Sequence, residues 1–266
     1  MDTIKLYCRS MAMLIKSQLQ YPASFCMQTF AQLVMEAGEF MAVILIVDRF
    51  DRLNQWLPGD LFFFFGLMSV SFYLAECFGR GITGAFPGMV RTGQLDTLLL
   101  RPRGVITQVL CSAVDPRRVS CIAVGAAALV IGSRMAAVRW TAGKALLLAE
   151  SLLLGSLLVL GLFLVEAVFC IYSVKSVELV NAITYGGRSA CEYPIDIYPR
   201  PLRLLFTVLA PFALVMHVPA GFILDKPLYG WPGWAAFCSP LAGAAVFGLM
   251  YAVFRRAMRH YCSTGS

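Results

Sequence analysis

Several titratable side chains lie in or near the long apolar runs of this chain, among them Glu36, Glu39, Glu76, Glu150, Glu166 and His217. Glu36 and Glu39 stand three residues apart, so a helix puts them on one face. Carboxylates in such a setting are costly and often face a cavity or a partner. They could line a substrate path or recognise a cationic group. The other reading is an ion pair with arginine, a hydrogen bond across helices, or a wet position at an interface. Glu166 is open to the same two readings. Glu76 falls near one end of its run and is expected to pair with a nearby arginine, and Glu150 is expected to be partly wet. His217 stands beside Pro219. A proton relay is conceivable there, but a histidine bonded to a neighbouring helix is favoured. Pro211 and Pro219 break the regular ladder of their run, giving either a hinge or a static kink.

These residues do not assemble into a catalytic set. The only histidines, His217 and His260, are far apart, and neither a Ser/His dyad nor an H-E-x-x-H motif is visible. No G-x-x-x-x-G-K-[ST] phosphate loop occurs: Gly143-Lys144 lacks the upstream glycine and is followed by Ala145. The nine cysteines form no C-x-x-C pair and lie mostly in or beside apolar runs. They read as small packing residues, which argues against a disulfide framework or a metal site.

The elements that must hold these side chains follow from composition. The chain is 59% hydrophobic and 14% charged, whereas a soluble domain carries about a quarter charged residues. The bilayer must therefore be part of the solvent. Six apolar runs, 23–47, 59–79, 109–133, 145–172, 201–224 and 235–254, each approach the ~20 residues that cross the hydrocarbon core. Asp115-Pro116-Arg117-Arg118 interrupts the third run, leaving Val119 to Gly132 unbroken. No alternating strand pattern appears, so the spans are expected to be helices. The expectation is an all-α polytopic membrane protein, one domain over 1–266 with six transmembrane helices. Gly125 to Ala128, Gly155-Ser156 and Gly161 offer smooth faces for close helix approach. Phe62 to Phe65 are expected to meet lipid or a neighbouring helix.

Charge sets the expected orientation. With both termini cytosolic, 16 of the 22 basic residues fall inside and 6 outside, as the excess of Lys and Arg in cytosolic loops requires. Arg134, Arg139 and Lys144 in one outer loop oppose the rule. Residues 1–22 set Tyr7, Met11, Leu14 and Ile15 against Lys5, Arg9 and Lys16. They read as an amphipathic elbow along the inner membrane surface. The interrupting charges do not fit a cleavable signal, so the first run is expected to stay attached. Residues 173–200 read as an amphipathic connection between the fourth and fifth spans. The formal net charge of +7 is a loop signal here. Aromatic-basic interleaving is absent, which excludes nucleic acid.

The polar segment 80–104 contains Arg91-Thr-Gly-Gln-Leu-Asp-Thr-Leu-Leu-Leu-Arg-Pro-Arg103. Leu95, Leu98 and Leu99 fall at helical spacing, Asp96 and Arg101 lie on the polar side, and Pro102 stops the turn. Such a helix either rests on lipid or docks into a groove on a soluble partner.

The order of features resembles a known family. An elbow precedes the first span. A basic helix with Gly93-x-Leu95-Asp96-x-Leu98-Leu99-x-Arg101-Pro102 follows the second. Tyr193-Pro-x-x-x-Tyr198-Pro199-x-x-Leu202-Arg203 follows the fourth, and Pro211-Phe212 and Pro219-Ala220 mark the fifth. This resembles the permease subunit of an ATP-binding-cassette transporter of the ABC-2 type. The resemblance implies a permease half that pairs with itself or a sister chain in a cell membrane, plasma or bacterial inner. It implies efflux of a drug, peptide or lipid-like substrate. It also implies cytosolic ABC ATPase subunits that hold the ATP and Mg, with no cofactor in this chain. Arg91, Gly93, Leu95, Asp96, Leu98, Leu99, Arg101 and Pro102 would then form the coupling helix seated on the ATPase. The competing expectation is an ion-coupled secondary transporter, which would need broken helices at a midplane site. Only the proline-bearing fifth run hints at it.

Overall fold

A computed structural model describes residues 3–49, 53–172, 177–226 and 232–261. It is an all-α bundle, and among the described residues the sole β feature is an isolated bridge between Leu53 and Trp56. Among the described residues five helices have the length and hydropathy to cross a bilayer, or six if one sharply bent pair is counted.

α1 (Thr3–Leu19) is the amphipathic elbow, and α2 (Pro22–Arg49) follows it along the outside of the bundle. α3 (Pro58–Arg80) is the central helix, buried along most of its length. Phe62 to Phe65 all lie in the core, against neighbouring helices. α7 (Arg118–Met135) runs antiparallel to α3 at backbone contact. A Cβ at Gly66 would stand 2.5 Å from Gly125 O and Leu129 N, and one at Gly132 would stand 2.5 Å from Phe63 N. Small residues permit this approach, which supplies dispersion contact that lipid cannot match. α8 (Ala142–Tyr172) packs on α3, where Ser156 Oγ donates to Ser71 O at 2.9 Å. α13 (Leu241–Arg259) lies beside α8, with Phe247 against Gly161.

Between α3 and α7 the chain stays at one end of the bundle. A π-helical turn, Gly81–Ala85, carries α3 into α4 (Phe86–Arg91). Gly93 then turns in the left-handed region at φ 71°, which only glycine adopts freely, and α5 (Gln94–Leu99) and α6 (Val105–Leu110) follow. α1 is held at this same end. Tyr7 OH donates to Phe78 O at 3.3 Å, and Gln18 Nε2 donates to Val114 O at 3.0 Å. Burial pushes the Tyr7 phenol up to about 12, so it remains a donor at any working pH.

The segment after α8 departs from the sequence expectation. Residues 173–176 lie outside the described residues. α9 (Val177–Cys191) does not lie across one face of the bundle; it runs antiparallel along α3. It begins where Glu178 and Arg80 both neighbour Glu166. Tyr185 then meets Phe72 and Glu76, and Asp196 reaches Trp56 beyond the opposite end of α3. Three polar side chains of this amphipathic stretch, Tyr185, Arg188 and Glu192, are turned inward and paired.

The run 201–224 is not a straight span. Its first arm is α10 (Arg200–Leu204) with a π turn, Leu205–Leu209. Its second is a π turn, Ala213–His217, with α11 (Val218–Ile223). The arms are bent by 86°. At 1.5 Å per residue each arm is only about 15–17 Å long, roughly half the hydrocarbon thickness of ~30 Å. Asp196 before the arms and Lys226 after them both bond the turn at residues 53–60. The element therefore enters and leaves at one end, and α9 is the rod that traverses the bundle. α12 (Ala235–Cys238) leads into α13.

Candidate coupling surface and intramembrane polar network

The segment 91–103 sits at the α1 end, on the connection from α3 to α7, with α5 packed on α4 and α6. Its apolar stripe splits in two. Leu95 is fully buried and Leu98 packs on the same core, so both anchor the helix to its own bundle. Leu99 is 42% exposed and Leu100, which the helical spacing did not single out, is 85% exposed. Arg91, Arg101, Pro102 and Arg103 are also exposed. The turn that presents them is rigid: Gln108 Nε2 donates to Leu98 O and to Arg103 O, each at 3.0 Å. Asp96 faces Tyr261, just past α13. Burial and then this carboxylate raise the Tyr261 phenol. The free surface is thus an apolar tip, Leu99-Leu100, bordered by arginines.

Glu36 and Glu39 converge on Arg188 of α9, at 2.9 and 2.5 Å, and Glu192 joins the same guanidinium at 3.2 Å. Tyr73 OH donates to Glu36. The Arg188 guanidinium lies over the rings of Tyr73 and Phe72 at 4.6 and 5.4 Å, a cation–π arrangement strengthened by desolvation. One cation thus faces three carboxyl groups. Nearer the α1 end, Arg118 pairs with Glu76 at 3.0 Å and lies 5.4 Å from the centroid of the Tyr73 ring. Tyr185 OH donates to Glu76 at 3.0 Å, and Asp115 pairs with Arg117 at 2.6 Å. A polar thread therefore runs from the connection ahead of α7 to the middle of α2.

Glu39 is where the thread meets the outside. Its side chain is 43% exposed, at a point about 25 Å along α2 by helical rise. Beside it, Gly38 has open space, and Ala182, Gly186 and Ser189 expose the small-residue face of α9. A half-exposed carboxylate at that depth is not compatible with lipid alone; it calls for water or another protein surface.

The remaining candidates lie elsewhere. Glu166 is buried on α8 near Arg80 and Glu178, apart from Arg188. His217 sits at the opposite end, its ring 5.4 Å from Trp56 and 5.5 Å from Phe64, and its Nδ1 accepts from Ile195 N–H at 3.3 Å. Ile195 belongs to the short helical turn after α9. Pro211 stands at the 86° bend itself, after Ala210 with φ −124° and ψ 86°. Pro219 lies inside the second arm, just after the π turn Ala213–His217, where it removes one backbone N–H. Sequence reasoning missed Arg188, Glu192 and Tyr73. The visible signal was Tyr185-x-x-Arg188-x-x-x-Glu192, an i, i+4 ion pair inside a segment read as an amphipathic connection.

The described residues form an all-α polytopic bundle with an amphipathic helix and a folded helical connection at one end. The chain belongs to the ABC-2 family of transporter proteins: the sequence model described as "ABC-2 family transporter protein" matches residues 33–265. No curated protein and no solved structure matches the chain.

Proposed function

We propose that the chain is the permease half of an ATP-driven exporter. It would work as two permease chains above two cytosolic ATPase subunits, which hold the ATP and Mg. The observation that carries this reading is the rigid, exposed tip Leu99-Leu100-Arg101-Pro102-Arg103, mounted on helices that lead directly into α3 and α7. Apolar contact would seat the tip and the arginines would fix its register. Outward transport is a family expectation, with a drug, peptide or lipid-like molecule as the substrate class.

Orientation follows from charge once α9 is placed. By sequence position, 13 basic residues fall at the α1 end and 8 at the other, with Arg188 between them. Arg200 and Arg203 move to the far end with the bent pair, so the split is narrower than the straight-span reading gives. It still favours the α1 end, and with it both termini, in the cytosol. The face of α2 and α9 around Glu39 would meet the second permease or line the pathway.

The broken helix pair favours a second reading, an ion-coupled secondary transporter. One experiment separates the two. The chain is expressed with a candidate ATPase, and co-purification and ATP-dependent transport are measured. Replacing Leu99 and Leu100 with alanine should weaken ATPase retention by about tenfold to a hundredfold, for partial burial of two leucines worth ~1.5–3 kcal/mol each when complete. Membrane insertion should be unchanged. Transport driven by an ion gradient without ATP would sink the exporter reading.

A further inference from the structure

The α1 end also holds a pocket whose wall includes the two arginines beside the exposed Leu99-Leu100 tip. Its volume is about 530 Å³, and Ser10 of α1, Leu98, Arg101, Arg103, Gln108 and Ser112 contribute to its lining. No carboxylate lines it. Neither arginine forms an ion pair among the described residues. The two are fixed on one tight turn about Pro102, where Arg103 N–H donates to Arg101 O at 2.7 Å. Gln108 closes that turn from α6, so the wall is formed in advance. The opposite wall belongs to the elbow helix, which Tyr7 and Gln18 pin across the end of α3 and beside Val114. That places the pocket where a central membrane helix ends, at headgroup depth. Met89, Leu98 and Pro102 add apolar wall to the same pocket.

We propose that this pocket binds the phosphodiester headgroup of an anionic phospholipid, and that the lipid bridges the elbow to the coupling turn. A guanidinium fork matches phosphate oxygens, and two such forks on one turn make a directional anion site. The apolar wall suits the glycerol and first methylenes of a lipid and offers nothing to free phosphate. A protein partner is better served by the protruding Leu99-Leu100. The inference depends on the chain lying in a bilayer and not on the identity of its energy source.

The test is native mass spectrometry of the detergent-purified chain titrated with phosphatidylglycerol, phosphatidylcholine or inorganic phosphate. Phosphatidylglycerol should be retained in preference to the other two. The double variant Arg101→Gln, Arg103→Gln should weaken it by roughly thirtyfold, since each basic residue near an anionic lipid contributes about fivefold. Arg101→Lys, Arg103→Lys should keep most of the binding, and both variants should stay folded because these side chains are exposed. Arg256→Gln, Arg259→Gln removes equal charge from the same end of the bundle and should change retention much less. Equal loss in that control would reduce the effect to general surface potential and overturn the site. Binding of inorganic phosphate as tight as that of the lipid would overturn the lipid assignment. So would cross-links from positions 101 and 103 to a co-purified protein with no lipid retained.

Discussion

Two seams meet on α3 and are held by opposite means. Along α3 and α7, glycines bring the backbones together, with Gly66 against Gly125 and Gly132 against Phe63. Where α2 and α9 flank α3, charges bridge the gap, with Arg188 between Glu36, Glu39 and Glu192. The glycine seam has no slack: its atoms are already at contact, and any slide forfeits dispersion over its length. The ionic seam can exchange partners, and water can replace a lost bond where Glu39 is exposed. The glycine seam is thus a rigid spine and the ionic seam an adjustable flank. The half-exposed carboxylate falls on the flank.

The largest expected effect comes from removing the one cation of the ionic seam. Arg188→Ala strands buried Glu36 and Glu192, and breaking a buried pair in this way typically costs about 3–5 kcal/mol. Thermal unfolding in detergent should show the loss. Adding Glu36→Gln and Glu39→Gln to Arg188→Ala should restore much of it, because the penalty lies in unpaired charge. Absence of any rescue would mean that the seam is held by the packing of Arg188 on Tyr73 and Phe72.

The glycine seam should respond to size alone. Gly66→Ala places a methyl 2.5 Å from two backbone atoms of α7, which cannot rotate aside. Overpacking of this kind costs about 1–3 kcal/mol. Gly38→Ala on the open flank of α2 meets nothing within 4 Å and should be neutral in the same melt. Equal effects at the two positions would erase the distinction between spine and flank.

The same contrast explains what the sequence could tell. α2, α3, α7, α8 and α13 are legible because their apolar residues face lipid or each other, and hydropathy counts either as favourable. α9 is not legible in this way. Each of its polar residues is scored as if alone, while in the bundle Arg188 and Tyr185 have partners on α2 and α3. The run 201–224 is apolar enough to span, but hydropathy carries no direction, and the bend at Ala210-Pro211 decides its path. At the coupling segment, helical periodicity finds the apolar stripe but does not tell which neighbour it meets. Leu95 and Leu98 turned to their own bundle, and Leu99 remained free with Leu100. The carboxylate pair was legible as a shared face; its partner was not, because Arg188 lies 152 residues from Glu36 in the chain.

The smallest effect sharpens where the ionic flank ends. Tyr185 OH donates to Glu76 at 3.0 Å, but Glu76 also has Arg118 at 3.0 Å and Arg80 at 3.9 Å. Removing the hydroxyl leaves the carboxylate paired, and the ring keeps its edge contact with Phe72 at 5.4 Å. Tyr185→Phe should therefore cost about 1–1.5 kcal/mol, the ordinary net value of one hydrogen bond. A double-mutant cycle with Arg188→Lys tests whether the two bonds on α9 act together. They lie three residues apart on one helix and share Phe72 beneath them, so a coupling of about 0.5 kcal/mol or more is expected if α9 shifts as a unit. Additivity would mean that the Glu76 cluster belongs with the rigid spine, and that only the Arg188 end of α9 is adjustable.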